Sequence, residues 1–256
     1  MSRYRELDEI GRIQLSRSFY MRDFLFSEIG AAYAIPNLPD DLELAVLVGR
    51  ELCQRILEPL QATFGRIHIR SGYRSARLNA FGNERGLNCS SNYRTFADHI
   101  WDRRDGAGRM GATACIVIPW FLEHHRADEW ERLAWFLHDK IDYHRIVFFG
   151  RQAAANIGWR EDPAREIMSH TAPRGRLTGP GMLNGWGDHS DQYPGFPEFR
   201  TPPPRALQPV AKSHGETPPH CIRLHPHRET VRDDCALAGS VASDRTSACD
   251  RIGVDA

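Results

Sequence analysis

No apolar run in this chain approaches the ~20 residues needed to span a bilayer, so no membrane partner is expected. An excess of one charge is missing too. Acidic and basic residues balance at 33 each over 256 positions, so no global field favours nucleic acid or an anionic membrane surface. The first residues, Met1-Ser-Arg-Tyr-Arg-Glu-Leu-Asp, contain no apolar core of the kind a secretory signal has, which sets the expectation of a cytoplasmic chain as synthesised. Paired short cysteine spacings of the C-x-x-C type are absent as well. Of the six cysteines, Cys53 lies on an apolar helix face and Cys115 in an apolar strand, and both read as small buried hydrophobes. Cys89 would need a histidine partner to act as a nucleophile, and His99 is ten residues on. Cys221, Cys235 and Cys249, with His220, His225 and His227 near the first, cluster at one end only, so a disordered tail is expected there rather than a zinc site. The 41% hydrophobic composition is that of an ordinary soluble globule with one large core or two small ones.

What is present centres on Ile67 to Ile100. Ile67 and Ile69 alternate with His68 and Arg70, the period of a half-buried strand. Ser71-Gly72 breaks it, and Tyr73-Arg74-Ser75 begins a polar turn into a short helix. An arginine just past a strand end is placed to hold a carboxylate with its planar fork of donors. A surface arginine beside a turn has the same appearance.

The blocks Ser71-Gly-Tyr-Arg-Ser, Leu78-Asn79 and Ser90-x-Asn92-(six residues)-His99-Ile100 resemble the core of the zinc D-alanyl-D-alanine carboxypeptidases, the LAS group of metallopeptidases. That family reads Ser-Gly-Tyr-Arg-Ser followed by Ser-x-His-x-x-Gly-x-Ala-x-Asp; the arginine and a nearby serine hold substrate, and the histidine and aspartate bind zinc. The resemblance runs roughly from residue 22 to 170 and takes in Phe26-Ser27-Glu28, Ile35-Pro36-Asn37 and Leu57-Glu58-Pro59-Leu60. It implies an α+β fold with a small antiparallel or mixed sheet flanked by helices, and substrate contacts from Arg74, Ser90 and Tyr73.

The metal positions depart from the family. In register, Asn92 stands at its first histidine, Thr95 at its glycine and His99 at its aspartate. A neutral amide oxygen is a poor zinc ligand, whereas histidine is an ordinary one. Asp98 lies one position early; on a strand that offset turns a side chain to the opposite face, so it substitutes only if a bulge re-aims it. Two placements compete for the third ligand. One sets Ile157-Gly158-Trp159 on the family's apolar-His-apolar strand and leaves Gly158 at the ligand position. The other uses His170, with Glu166 four residues earlier as the base, and completes a zinc set of Asn92, His99 and His170. The first fits the spacing after the Arg145–Phe149 strand better, and it implies a site stripped of its zinc set.

Taken in order, residues 1–21 form a charged lead-in from which Leu15, Phe19 and Tyr20 could dock, and 22–171 a carboxypeptidase-like domain. Ser27 caps one helix. Asp40 or Asp41 caps a longer one carrying Ala45, Gly49, Leu52, Cys53, Ile56, Leu57, Leu60 and Phe64, which Pro59 kinks or restarts and Gly65 ends. Met110 to Pro119 is predicted as a buried strand, Trp120 to Asp139 as one amphipathic helix with His124 and His125 solvated, and Trp101-Asp-Arg-Arg-Asp-Gly as a charged turn. A Gly/Pro-rich loop packed on the domain is expected over 172–200, where Asp188-His189 could offer metal ligands but reads first as a surface pair, and a disordered tail over 201–256.

Two functions follow. One is a zinc carboxypeptidase or related peptidase on the D-Ala-D-Ala-type peptide of peptidoglycan, which a chain without an export signal reaches only through lysis or a dedicated exporter. The other is a non-catalytic descendant that keeps the Arg74 pocket and binds a peptide carboxylate, or serves as a structural part.

Overall fold

Local signals in the sequence place most of the elements. A computed structural model describes residues 3–208, all within the first of two units, Met1–Lys212. The tail histidines and cysteines from His220 to Cys249 lie outside the described residues. The chain runs through α1 (Arg3–Gly11), α2 (Glu28–Tyr33), α3 (Leu42–Leu52), α4 (Glu58–Phe64), β1 (His68–Ser71), α5 (Ala76–Glu84), α6 (Asn92–Thr95), β2 (Gly111–Val117), α7 (Pro119–His124), α8 (Trp130–Lys140), β3 (Arg145–Phe148), β4 (Ala155–Arg160), β5 (Glu166–Ser169) and β6 (Gly175–Thr178). Ser27 caps α2 by accepting from Gly30 N at 3.3 Å, and Asp41 caps α3 by accepting from Leu44 N at 2.9 Å. A π-type turn over Cys53–Leu57 interrupts the long helix, and α4 restarts with Pro59 in its first turn, where a missing N–H costs nothing. Gly65, at φ +79°, ends it.

The fold is α+β. Six strands form one mixed sheet in the order β1-β2-β4-β3-β5-β6, with β3 and β5 parallel and every other pair antiparallel. Ala112, Ala114, Ile116, Ile146, Phe148, Ile157, Trp159 and Ile167 face a core completed by Val48, Leu52, Ile56 and Leu60 of the α3–α4 stretch and Leu133 and Phe136 of α8. The lead-in joins this core through Leu15, Phe19 and Met21, while Tyr20 stays exposed. Buried Glu58 anchors that segment by accepting from Ser16 Oγ at 2.8 Å and Ser18 N at 2.6 Å. On the opposite face of the sheet, Thr113, Gly158, Arg145 and Glu166 form one cross-strand row.

Three expectations need correction. The single helix over Trp120–Asp139 is two, because the chain extends at His125 and Arg126 and re-enters through a 3₁₀ turn at Ala127–Glu129. His125 is not solvated: its ring stacks between Phe121 and Phe196, at 5.1 Å from each. The loop over 172–200 contributes a strand, β6, as well as Phe196, which packs on Phe64, Trp120 and Phe136. Within the charged turn after Ile100, Trp101 and Asp102 are fully buried.

Candidate functional site

The Ser71–Ser75 turn owes its shape to two neighbours. A Cβ on Gly72 would lie 2.6 Å from the Phe24 ring, so only glycine lets the chain pass there. Buried Asn37 then holds the turn from behind: its Nδ2 donates to Leu25 O at 3.0 Å and Tyr73 O at 2.8 Å, and its Oδ1 accepts from Ser75 N at 2.7 Å. Arg74 N donates to His99 O at 2.8 Å, tying the turn to the 97–99 segment.

From this frame the Arg74 side chain reaches buried Asn79 and half-buried Cys89. Its Nη1 donates to Asn79 Oδ1 at 3.2 Å and lies 3.2 Å from Cys89 Sγ. Among the described residues no carboxylate comes within ion-pair distance of Arg74, and its Nε and Nη2 donate to no protein atom. Asn79 continues the network, donating through Nδ2 to Ser90 O and to Asn92 Oδ1, both at 2.8 Å. Asn92 ends it by donating to Ala76 O at 3.0 Å. Ser90 is exposed, and its part in the network is its carbonyl oxygen.

His99 is buried, and its Nδ1 is 2.9 Å from Gly72 O. That carbonyl can only accept, so Nδ1 carries the proton of the neutral ring and Nε2 keeps a lone pair. Burial pushes the His99 imidazole down; the Asp98 carboxylate opposes this, and Arg74 adds to it. The 96–100 segment is a turn rather than a strand, with Ala97 at φ +53°. Asp98 is therefore oriented by a left-handed residue, and its charge acts on His144 and Arg160 as well as His99.

Four of the expected site residues do other work. Tyr73 is core: it is 1% exposed, packs against Trp101 at 6.0 Å and donates its hydroxyl to Leu38 O at 3.2 Å. Burial, then the nearby Asp102 charge, raises the Tyr73 phenol well above its ordinary range. Asn92 has both ends of its amide in hydrogen bonds, and its neutral oxygen, already accepting from Asn79, is a poor zinc ligand. Glu166 is buried between Arg145 (3.0 Å) and Arg176 (2.5 Å), an ion-paired carboxylate rather than a free base. His170 is exposed beyond β5, with its ring 5.6 Å from that of Phe149. The β2 strand, which holds Asp98 through Thr113 N, is three strands from β5, roughly 14 Å at ordinary strand spacing, so His170 and His99 do not meet. Gly158 does stand in the central row, but a Cβ there would be 2.5 Å from Thr113 Oγ1. A histidine at that position would force Thr113 aside. The set Asn92, His99 and His170 does not fit zinc.

Only one group among the described residues gathers three potential ligand atoms: His138, Asp139 and His189. Every one of those atoms has a protein partner. His138 is bonded by Tyr143 Oη and Gly185 O, and His189 by Asp139 Oδ1 and Asn184 O; Asp139 Oδ2 accepts from His189 N and Tyr193 Oη. With the His189 ring stacked 4.2 Å from Trp135, this is a clamp that fastens the 183–193 loop to α8. His189 thus pairs with Asp139, not with Asp188, which instead accepts from Ser190. Sequence reasoning missed Asn37, Asn79 and Asp139. The first two lay inside the blocks that carry the resemblance, and an asparagine that ends up buried amid backbone groups is their only signal. No helix among the described residues is long and apolar enough to cross a membrane. No protein-family model matches the chain, and no curated protein or solved structure matches it either.

Proposed function

We propose that this protein is a non-catalytic relative of the D-Ala-D-Ala peptidase fold that binds a peptide's terminal carboxylate through Arg74. One observation carries the reading. Arg74 is half-buried, is held at one nitrogen by Asn79, and has no carboxylate partner among the described residues. A guanidinium so placed has donors left for a bidentate carboxylate, and planar two-point recognition is what arginine supplies and lysine does not. The residues at the metal positions support the absence of hydrolysis: Asn92 is spent on Asn79 and Ala76, and Gly158 offers no donor. The resemblance supplies the ligand class, a peptidoglycan-type peptide ending in D-Ala-D-Ala.

Calorimetric titration with acetylated Lys-D-Ala-D-Ala and with its C-terminal amide tests this. The free acid binds and the amide does not; Arg74→Ala abolishes binding while the melting temperature stays within a few degrees. Equal binding of acid and amide sinks the reading. One feature favours the hydrolase alternative, the His99 tautomer, since a ring that donates one N–H to a backbone carbonyl resembles a metal-bound histidine. Stoichiometric zinc in purified protein, lost on His99→Ala, would favour that alternative; metal-free folded protein removes it.

A further inference from the structure

Two strands, β1 and β6, form the edges of the sheet. The β6 edge is partly covered, since Asn184 Nδ2 donates to Leu177 O at 2.9 Å. The β1 edge proper is open. Among the described residues, residues 68–70 have no main-chain hydrogen bond except through the pairing of β1 with β2, and just before the strand Ile67 N donates to Gln61 Oε1 at 3.5 Å. Along this edge Arg66, His68 and Arg70 are exposed at alternate positions, while Ile67 is buried and Ile69 half-buried between them. On β2, His68 faces Val117, Ile69 faces Ile116 and Ser71 faces Cys115, none of them a carboxylate, and Arg70 stands in a bulge between Ile69 and Ser71 with no residue opposite it. None of the three basic side chains is in an ion pair among the described residues. Beside them runs a groove of about 600 Å³ between β1 and the 18–23 segment, with Phe19, Ile67 and Ile69 among its apolar residues and Ser18 and Asp23 on its far wall.

We propose that this edge is a strand-addition site for an extended acidic peptide segment from a partner protein. The added main chain takes the unpaired N–H and C=O groups of β1, which supply affinity without sequence preference. A side chain of the added strand then lies across from His68, with Arg66 just before β1 and Arg70 in its bulge on either side, so carboxylates along the peptide gain from opposite-charge pairing. The intervening side chains fall toward Phe19 and Ile69, which favours apolar residues there. A second copy of this chain is the wrong occupant. Antiparallel self-pairing about His68 sets Arg66 against Arg70, and like charges directly opposite each other destabilise a sheet pair. Single-stranded nucleic acid matches the charge, but it has no use for the unpaired backbone groups.

The probe is a fluorescein-labelled, C-terminally amidated peptide of alternating glutamate and valine, titrated against the full chain at low salt. The structure predicts saturable binding that weakens about tenfold in Arg66→Glu/Arg70→Glu, with a lysine–valine peptide preferred by that variant. Methylating the backbone nitrogens on the peptide's pairing edge should remove binding of the wild-type protein, a control that leaves the protein untouched. Arg74→Ala should leave binding unchanged, because the probe has no terminal carboxylate and Arg74 does not line the groove. The proposal fails if the methylated peptide binds as well as its parent, or if the charge reversal has no effect. It also fails if Arg74→Ala removes binding, or if an oligothymidylate binds more tightly than the peptide.

Discussion

Replacing Asn37 with alanine should loosen the Arg74 turn indirectly, because its hydrogen bonds go to backbone groups and not to the guanidinium. The substitution strips the partner from Leu25 O, Tyr73 O and Ser75 N, three backbone groups bonded at 2.7–3.0 Å. At about 1 kcal/mol net for each bond, the loss is about 3 kcal/mol. At roughly 2–4 °C per kcal/mol for a domain of this size, the melting temperature should fall by about 6–12 °C. Asn37→Asp is the sharper variant. It places a carboxylate oxygen where Nδ2 now donates to two carbonyl oxygens, so it should be worse than alanine. Thermal unfolding by circular dichroism gives the stabilities, and peptide titration gives the state of the turn. An Asn37→Ala protein that melts within about 2 °C of the parent and binds peptide normally would refute this account of the turn.

Four further outcomes follow from the same geometry. Gly158→His should destabilise by about 1–3 kcal/mol through the clash with Thr113, and Thr113→Ala should recover part of the loss in a double-mutant cycle measured by urea unfolding. Glu166→Gln should lower stability by about 1–2 kcal/mol, less than a fully buried pair because Arg145 and Arg176 are half-exposed and rehydrate; unchanged stability would mean the ion pairs are idle. His144 is pushed down to about 4, by burial first and then by Arg160 and Arg145. Its folded value lies below the ordinary ~6.5, so the unfolded chain takes the proton first; the stability it contributes is present above that pH and is lost as pH falls towards 4. The loss is at most about 3 kcal/mol, and the fall in urea midpoint across that window should be shallower in His144→Gln. Asp139→Asn should weaken the clamp on His189 and Tyr193, read as faster proteolytic cleavage within 183–193.

Much of the framework was legible because it rests on local chemistry. Ser27 and Asp41 cap because each accepts from the N–H three residues on, and Pro59 marks the restart because its ring cannot donate. Distant partners were not legible. The helix expected over Trp120–Asp139 breaks where Phe196, some seventy residues later, stacks on His125. One placement of the third ligand paired His170 with Glu166, four residues earlier, as its base. The segment is extended, where four residues span about 13 Å, so Glu166 at the start of β5 and His170 just past its end lie far apart. The Tyr73 side chain turns into the core because Asn37 and Phe24 fix the turn around it, and neither neighbour can be read from the Ser-Gly-Tyr-Arg-Ser block.

The arginine-to-asparagine network holds the Arg74 turn through hydrogen bonds alone. Asn79 has one carbonyl oxygen and two N–H donors, and spends them on Arg74, Ser90 O and Asn92. Asn92 completes the chain because an amide both accepts and donates: its Oδ1 accepts a hydrogen bond from Asn79 Nδ2 and its Nδ2 donates one to Ala76 O. A histidine at position 92 could do both only by spending each ring nitrogen on protein, leaving none for a metal. A cation drawing on the Asn92 oxygen would likewise compete with the bond from Asn79, the residue that also steadies Arg74. A metal at Asn92 and the hydrogen bonds that steady Arg74 therefore compete, and the Asn92 oxygen is already committed to those bonds.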